Sequence, residues 1–234
     1  MSNHGIPVDA TPHGCPYLPG QTAVLPLRWY PDDLGPEDLD DLLAKADRRV
    51  GRHLYRPTCP TCDACKGIRV NTHDFHLSRS QRRVWKKNQD LRVSVGPPRV
   101  DRVRLDLFNR HKLGRGLAKR PTTAREYAGW LVHSCCRTVE TRYLLDGKLV
   151  GVGIVDMGRR SASSVYFYFD PDHDHRSLGT FSVLAEVDWA RRLGMEHYYL
   201  GLYVSGCRQL EYKATYFPHE RLVDGLWKRF DKDG

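Results

Sequence analysis

The chain predicts an α+β fold: a mixed sheet with packed helices, preceded by a small cysteine-bearing region. Three observations support this. After Thr138 the residue pattern turns β-rich, with runs Thr138–Leu145 and Lys148–Asp156 around an Asp146-Gly147 turn, a strong hairpin signal. Two further β-rich runs, Ser163–Phe169 and His197–Tyr203, flank an amphipathic stretch, Leu178–Leu193, that Gly194 stops. Ahead of these lie Cys59, Cys62 and Cys65, followed by the basic run Leu77–Asn88.

The earlier elements follow in order. Residues 1–35 are rich in Pro and Gly and read as loop and short strand. Pro36 to Val50 is predicted helical, with Leu39, Leu42, Leu43 and Ala46 on the apolar side and Pro36 suited to the first turn. A cysteine loop and a strand, Gly67–Val70, come next, then a basic helix capped by Ser78 or Ser80 and a strand Leu91–Val95. Residues 99–118 show helical spacing through Val103, Leu107 and Phe108, and a second helix spans about 123–134 around Tyr127, Trp130 and Leu131. Cys135 and Cys136 are expected in a helix, as core or half-buried thiols. The division expected is 1–95, the cysteine cluster and basic helix, and 96–234, the acyltransferase-like part.

The 234 residues carry 37 basic and 28 acidic side chains, a net charge of +9. Even surface charge would be the bland explanation, but clustering favours a phosphate partner. Arg79, Arg82, Arg83, Lys86, Lys87 and Arg92 stand against the single Asp90, and spacing of three and four puts Arg79, Arg82, Arg83 and Lys86 on one helical face. The start has no apolar signal core and the chain holds no apolar run long enough to span a bilayer, so a cytoplasmic protein without a membrane partner is expected. Its cysteines then read as thiols or ligands rather than as a disulfide framework. Two successive C-x2-C steps place three soft ligands within reach of one zinc ion or iron–sulfur cluster. Three buried thiols packing a loop is the rival explanation.

The run 163–203, strand, helix, strand, is most simply a parallel crossover. A sheet that joins an antiparallel meander to one such crossover is the arrangement of GNAT acyltransferases. Residues then carry a more specific likeness. Cys15-Pro-Tyr-Leu-Pro, the run from Tyr55 through Cys65 and Ser78-Arg-Ser-Gln-Arg-Arg83 resemble the N-terminal signature of aminoacyl-tRNA–protein transferases. Tyr168-Phe-Asp-Pro171, Arg176–Thr180, Tyr199–Tyr203 and the stretch from Cys207 to Ala214 resemble the C-terminal signature. Together these cover the chain from about Cys15 to Val223.

The resemblance implies transfer of arginine or leucine from aminoacyl-tRNA to the N-terminal α-amine of proteins that begin with Asp or Glu, creating an N-degron. It implies a GNAT-like C-terminal region, no nucleotide cofactor, and Cys15 as fourth ligand beside Cys59, Cys62 and Cys65. Two departures leave the donor open between leucine and arginine: Arg110–Leu117 lacks the family's usual Met, and Leu210-Glu211 stands where a Met is common. Asp170 is the candidate to hold or deprotonate the amine, Tyr168 and Tyr212 to donate to the oxyanion, and Lys213 to offset charge. Lys213 and Arg176 are the candidates to meet the acidic side chain. Arg176 and Gly179, at the predicted start of a helix, are expected to bind a tRNA phosphate or ribose together with Arg79, Arg82, Arg83, Lys86 and Lys87. Two rivals remain: a coenzyme A-dependent N-acetyltransferase, for which Phe181 degrades the usual R-x2-G-x-G/A loop, and a non-catalytic metal-containing nucleic-acid-binding protein.

Overall fold

A computed structural model describes residues 5–232. Four short strands, β1 (Ile6–Asp9), β2 (His13–Gly14), β3 (Thr22–Ala23) and β4 (Leu27–Trp29), open the chain. Helix α1 (Pro36–Ala44) is followed by β5 (Arg48–Val50), β6 (His53–Tyr55), β7 (Lys66–Asn71), α2 (Arg79–Lys87) and β8 (Arg92–Gly96). Helices α3 (Arg102–Gly114) and α4 (Ala124–Tyr127), the latter running into a π-helical turn, lead to β9 (Thr138–Leu145), β10 (Lys148–Met157) and β11 (Ser161–Phe169). Then come α5 (Leu178–Arg192), β12 (His197–Tyr203), α6 (Arg208–Glu211), β13 (His219–Val223) and β14 (Leu226–Phe230).

The large sheet has the order β14-β13-β7-β12-β11-β10-β9-β8. β8 to β11 form the expected antiparallel meander, and β11 meets β12 in parallel through the α5 crossover. This is the α+β, GNAT-like arrangement. β7 lies inside the sheet between β12 and β13, and the expected boundary at 95/96 falls within β8. Residues 1–95 therefore contribute two strands to the sheet of the acyltransferase-like part. The remaining short strands make a separate sheet, β1-β4-β6-β5, and a β2–β3 pair.

Alternation sorts the side chains between two faces. Val155, Tyr198 and Leu200 pack with Leu184 and Val187 of α5, while Val152, Ile154 and Tyr168 pack against Phe108 of α3 and Tyr127. Tyr199, next to Tyr198 but on the opposite face, joins Leu39 and Leu43 of α1 and Leu54. Over the α5 face sits Glu186, 2% exposed, accepting from Thr141 Oγ1 at 2.7 Å, Tyr143 Oη at 3.1 Å and Tyr198 Oη. Three hydroxyls make its burial tolerable, and desolvation still holds its carboxyl above the usual range.

Several boundaries differ from the sequence expectation. Helix α1 stops at Ala44 rather than Val50, because Ala46 turns the chain at φ 64° and Arg48–Val50 pair with β6. Asp101 caps α3 through the Arg104 N–H, and Val103, expected on its apolar face, is 59% exposed. Ser78 does cap α2, in a capping box with Gln81. Cys135 and Cys136 are buried as expected but follow the π turn instead of lying in a helix.

Candidate active site

β11 and β12 pair only over Ser161–Ser163 and His197–Tyr199, and beyond those residues the parallel ladder ends. Arg48 enters this fork from β5. Its Nη1 donates to Ser163 Oγ at 2.9 Å and its Nη2 to the Ser164 carbonyl at 2.5 Å. Gly201 makes room: its φ is +99°, and a Cβ there would stand 3.0 Å from Arg48 Cζ. Across the fork, Lys213 donates from Nζ to the Leu202 carbonyl at 3.0 Å. Burial, then the nearby Arg48 charge, pushes Lys213 down to about 7, with Cys207 acting the other way.

The other expected catalytic side chains are placed less simply. Asp170 stands at the end of β11, but Arg110 grips both its oxygens, at 2.9 and 2.7 Å, and the Asp172 N–H takes a further position at 3.1 Å. His111, the next residue, lies with Nδ1 3.1 Å from the Phe169 carbonyl, so the Arg110-His111 pair on α3 braces this strand end. Burial holds His111 down at about 4 and hence neutral. Tyr168 requires correction as an oxyanion donor: it is fully buried on the α3 face, its hydroxyl 2.6 Å from that of Tyr127. Tyr212 is 46% exposed beside Lys213 and remains available.

All of the expected tRNA-binding residues on α2, Arg79, Arg82, Arg83, Lys86 and Lys87, are exposed. Ion pairs among the described residues engage other cations, such as Arg49 with Asp156, Arg69 with Glu220 and Arg110 with Asp170, and none includes these five. The C-terminal end of α2 reaches the loop before α5: Lys87 Nζ donates to the His175 carbonyl at 2.8 Å and Asn88 Nδ2 to the Arg176 carbonyl at 2.9 Å. The basic helix and the start of α5 thus form one continuous surface. Gly179 lies in the first turn of α5 with open space where a Cβ would point. Arg176 pairs with Asp90 in a bidentate contact at 2.9 and 2.9 Å. A cavity of about 290 Å³ lies beside this surface, between α2, β8–β9 and α5, lined by Trp85, Leu91, Phe181, Glu186 and Trp189.

The cysteines are of a kind that can ligate a soft metal. All seven are free thiols. Burial, then Cys59, Cys15, Cys62 and Cys207, pushes Cys65 up to about 12. Backbone N–H groups of Leu18 and Val24 point at Cys15 Sγ and Cys59 Sγ, both at 3.4 Å. Among the described residues, however, no three His, Cys, Asp or Glu side chains converge in a ligand arrangement. The loop that carries Cys59, Cys62 and Cys65 leaves β6 directly after Tyr55, which pairs with Arg48.

Comparison with known proteins identifies the family. The model of the N terminus of arginine-tRNA-protein transferase matches residues 13–83, and that of the C terminus matches residues 103–223. The chain belongs to this transferase family. Its relatives include an aspartate/glutamate leucyltransferase of Aeromonas salmonicida (strain A449), 36% identical over 231 residues, covering 97% of this chain and 96% of that protein. A protein of the same name from Acinetobacter baumannii (strain AYE) is 34% identical over 94% of this chain and 83% of its own length. In fold, the chain is similar to the C-terminal domain of a protein assigned as a lysylphosphatidylglycerol synthetase from Agrobacterium fabrum, with a TM-score of 0.51 at 13% identity. That match covers 71% of this chain and spans only 58% of the other.

Sequence reasoning missed Arg48. It lies in a stretch that reads as the tail of α1, and only the pairing of β5 with β6 turns it toward the fork. The doublet Arg48-Arg49 at the end of an otherwise amphipathic helix was the one available signal.

Proposed function

We propose that this chain transfers an amino acid from aminoacyl-tRNA to the N-terminal α-amine of proteins beginning with Asp or Glu, creating an N-degron, and that leucine is the amino acid. Family membership over nearly the whole chain supports this, together with curated relatives named as aspartate/glutamate leucyltransferases. The carrying structural observation is the continuity of the unpaired basic helix α2 with the start of α5, beside a forked acyltransferase-like sheet.

The chemistry makes modest demands. The amine nitrogen attacks the ester carbonyl carbon, the bond to the terminal ribose oxygen breaks, and the amine's proton passes to that oxygen. About a tenth of the α-amines are neutral at pH 7, which supplies the nucleophile. The protein's contribution is alignment of amine with ester, and donors for the oxyanion. Arg110 holds Asp170 through both carboxylate oxygens, and Tyr212 is the oxyanion donor that remains exposed.

Coenzyme A is the less favoured acyl carrier. Arg176 of the R-x2-G-x-G/A-like loop is matched to Asp90, and Phe181 is buried against Trp85. Cys15, Cys59, Cys62 and Cys65 would hold a zinc ion or iron–sulfur cluster, whose work would be to fix the loop beside the fork. Purified protein should then contain zinc or iron, and Cys62→Ser should lower thermal stability together with activity. Metal-free protein with full stability would remove that proposal.

Incubation with labelled Leu-tRNA or Arg-tRNA and peptides beginning Asp or Glu tests the reaction. Label should enter the peptide from Leu-tRNA. Entry only from Arg-tRNA would reverse the donor, and acetylation from acetyl-coenzyme A without either transfer would replace the reading.

A further inference from the structure

The fork carries two cations whose charges nothing among the described residues compensates. One sits on each inner edge, Arg48 on the Ser164 carbonyl of β11 and Lys213 on the Leu202 carbonyl of β12. Their partners are neutral oxygens. The adjacent Arg49, by contrast, is fully matched to Asp156 at 2.7 Å. Both side chains are half-buried, and Arg48 lowers the proton affinity of Lys213 through like charge. Two unmatched cations held close together out of water are unfavourable unless an anion joins them. Such an arrangement in a cleft points to a ligand.

The setting says which kind. Arg48 is half-buried against the strand backbone beside Gly201 and Lys213 is half-buried at Leu202, so a polynucleotide backbone is better met by the exposed cations of α2. Where β11 and β12 cease to pair, their facing backbone groups can receive an extended peptide. A protein N-terminus that begins with an acidic residue brings a short extended backbone and one carboxylate, a few bonds from the reacting amine. An Arg fork and an ammonium group are the donors that such a carboxylate accepts from most strongly.

We propose that Arg48 and Lys213 together bind the side-chain carboxylate of the acceptor's first residue, and that Arg48 is a specificity-determining residue of this enzyme. The proposal rests on the transfer reaction above. It assigns the acidic preference to the fork rather than to Arg176, whose charge Asp90 occupies.

The test compares peptides beginning Asp and Asn, in equilibrium binding and in transfer from Leu-tRNA, with wild type, Arg48→Gln and Arg48→Lys. Thermal unfolding and tRNA affinity are measured on each. Wild type should favour Asp by about 10- to 100-fold, the range of one charge-assisted contact. Arg48→Gln should bring that ratio to within about threefold, and Arg48→Lys should keep most of it, with tRNA affinity unchanged. A wild-type-like ratio in Arg48→Gln overturns the proposal. So does an equal loss on both peptides, which is the signature of a merely structural arginine. Selective binding of Asp peptides without any transfer would instead overturn the reaction and leave the site standing. Transfer with no distinction between Asp and Asn in wild type would overturn the site and leave the reaction.

Discussion

The exposed cations of α2 and the half-buried cations of the fork are both unmatched, yet their surroundings make them suited to different anions. On α2, Arg79, Arg83 and Lys86 face water, which screens them and leaves them free to follow a phosphate chain, while the equally exposed Arg82 and Lys87 also donate to the Leu77 and His175 carbonyls. At the fork, Arg48 is pinned by Ser163 and Ser164, and Lys213 by Leu202. Pinned cations lose little freedom on binding and discriminate by geometry, whereas mobile exposed ones supply attraction with little selectivity. Charge count treats the two regions alike; burial and anchoring separate them.

The largest expected effect sharpens the fork's side of this contrast. Lys213→Met should lower kcat/KM for Asp-starting peptides by about 10- to 150-fold, as loss of a charge-assisted contact would, while tRNA affinity stays within twofold. A comparable fall in tRNA affinity would erase the distinction between the regions. Next comes the helix. Replacing Arg82, Arg83 and Lys86 by alanine should weaken tRNA binding and flatten the slope of log K against log salt by about two to three, with the Asp-over-Asn preference intact. Unchanged slope and affinity would show that α2 is an ordinary solvated face.

A smaller effect should appear with pH. Lys213, pushed down to about 7, is a cation below that value and neutral above it. The carboxylate partner is therefore strongest below pH 7 and fades as pH rises, with Arg48 keeping its charge throughout. The ratio of Asp to Asn rates, each corrected for the neutral fraction of its own α-amine, isolates this loss. That ratio should decline a few-fold between about pH 6.5 and 8.5 in wild type, and stay flat in Lys213→Met. The smallest effect concerns a cation that is already matched. Asp90→Asn breaks an exposed pair with Arg176 and should change stability by less than about 1 kcal/mol in urea denaturation. A larger loss would mean that this pair anchors the loop before α5.

How far the sequence reveals these features follows element length. β9 to β12 and α5 lie within one or two residues of the expected bounds, because long periodic runs carry their own pattern. β1 to β6 span two to four residues each, and their register comes from cross-strand partners that local pattern does not record. β13 and β14 were missed for the same reason, as was the place of β7 in the middle of the sheet. Within the site, Lys213 and Asp170 were legible through their motifs. The capture of Arg176 by Asp90 was not, for the partners stand 86 residues apart. Nor was the burial of Tyr168 against Tyr127, 41 residues away.

The sequence by itself determined the family, the mixed sheet with its crossover, the basic helix and the cysteine set, because each is written in residues close together along the chain. Only the tertiary structure decided which cations are matched and which are free, and that Arg48 reaches the fork past Gly201. Charge compensation and access depend on distance through space, and a strand as short as β5 acquires its direction from the strand beside it.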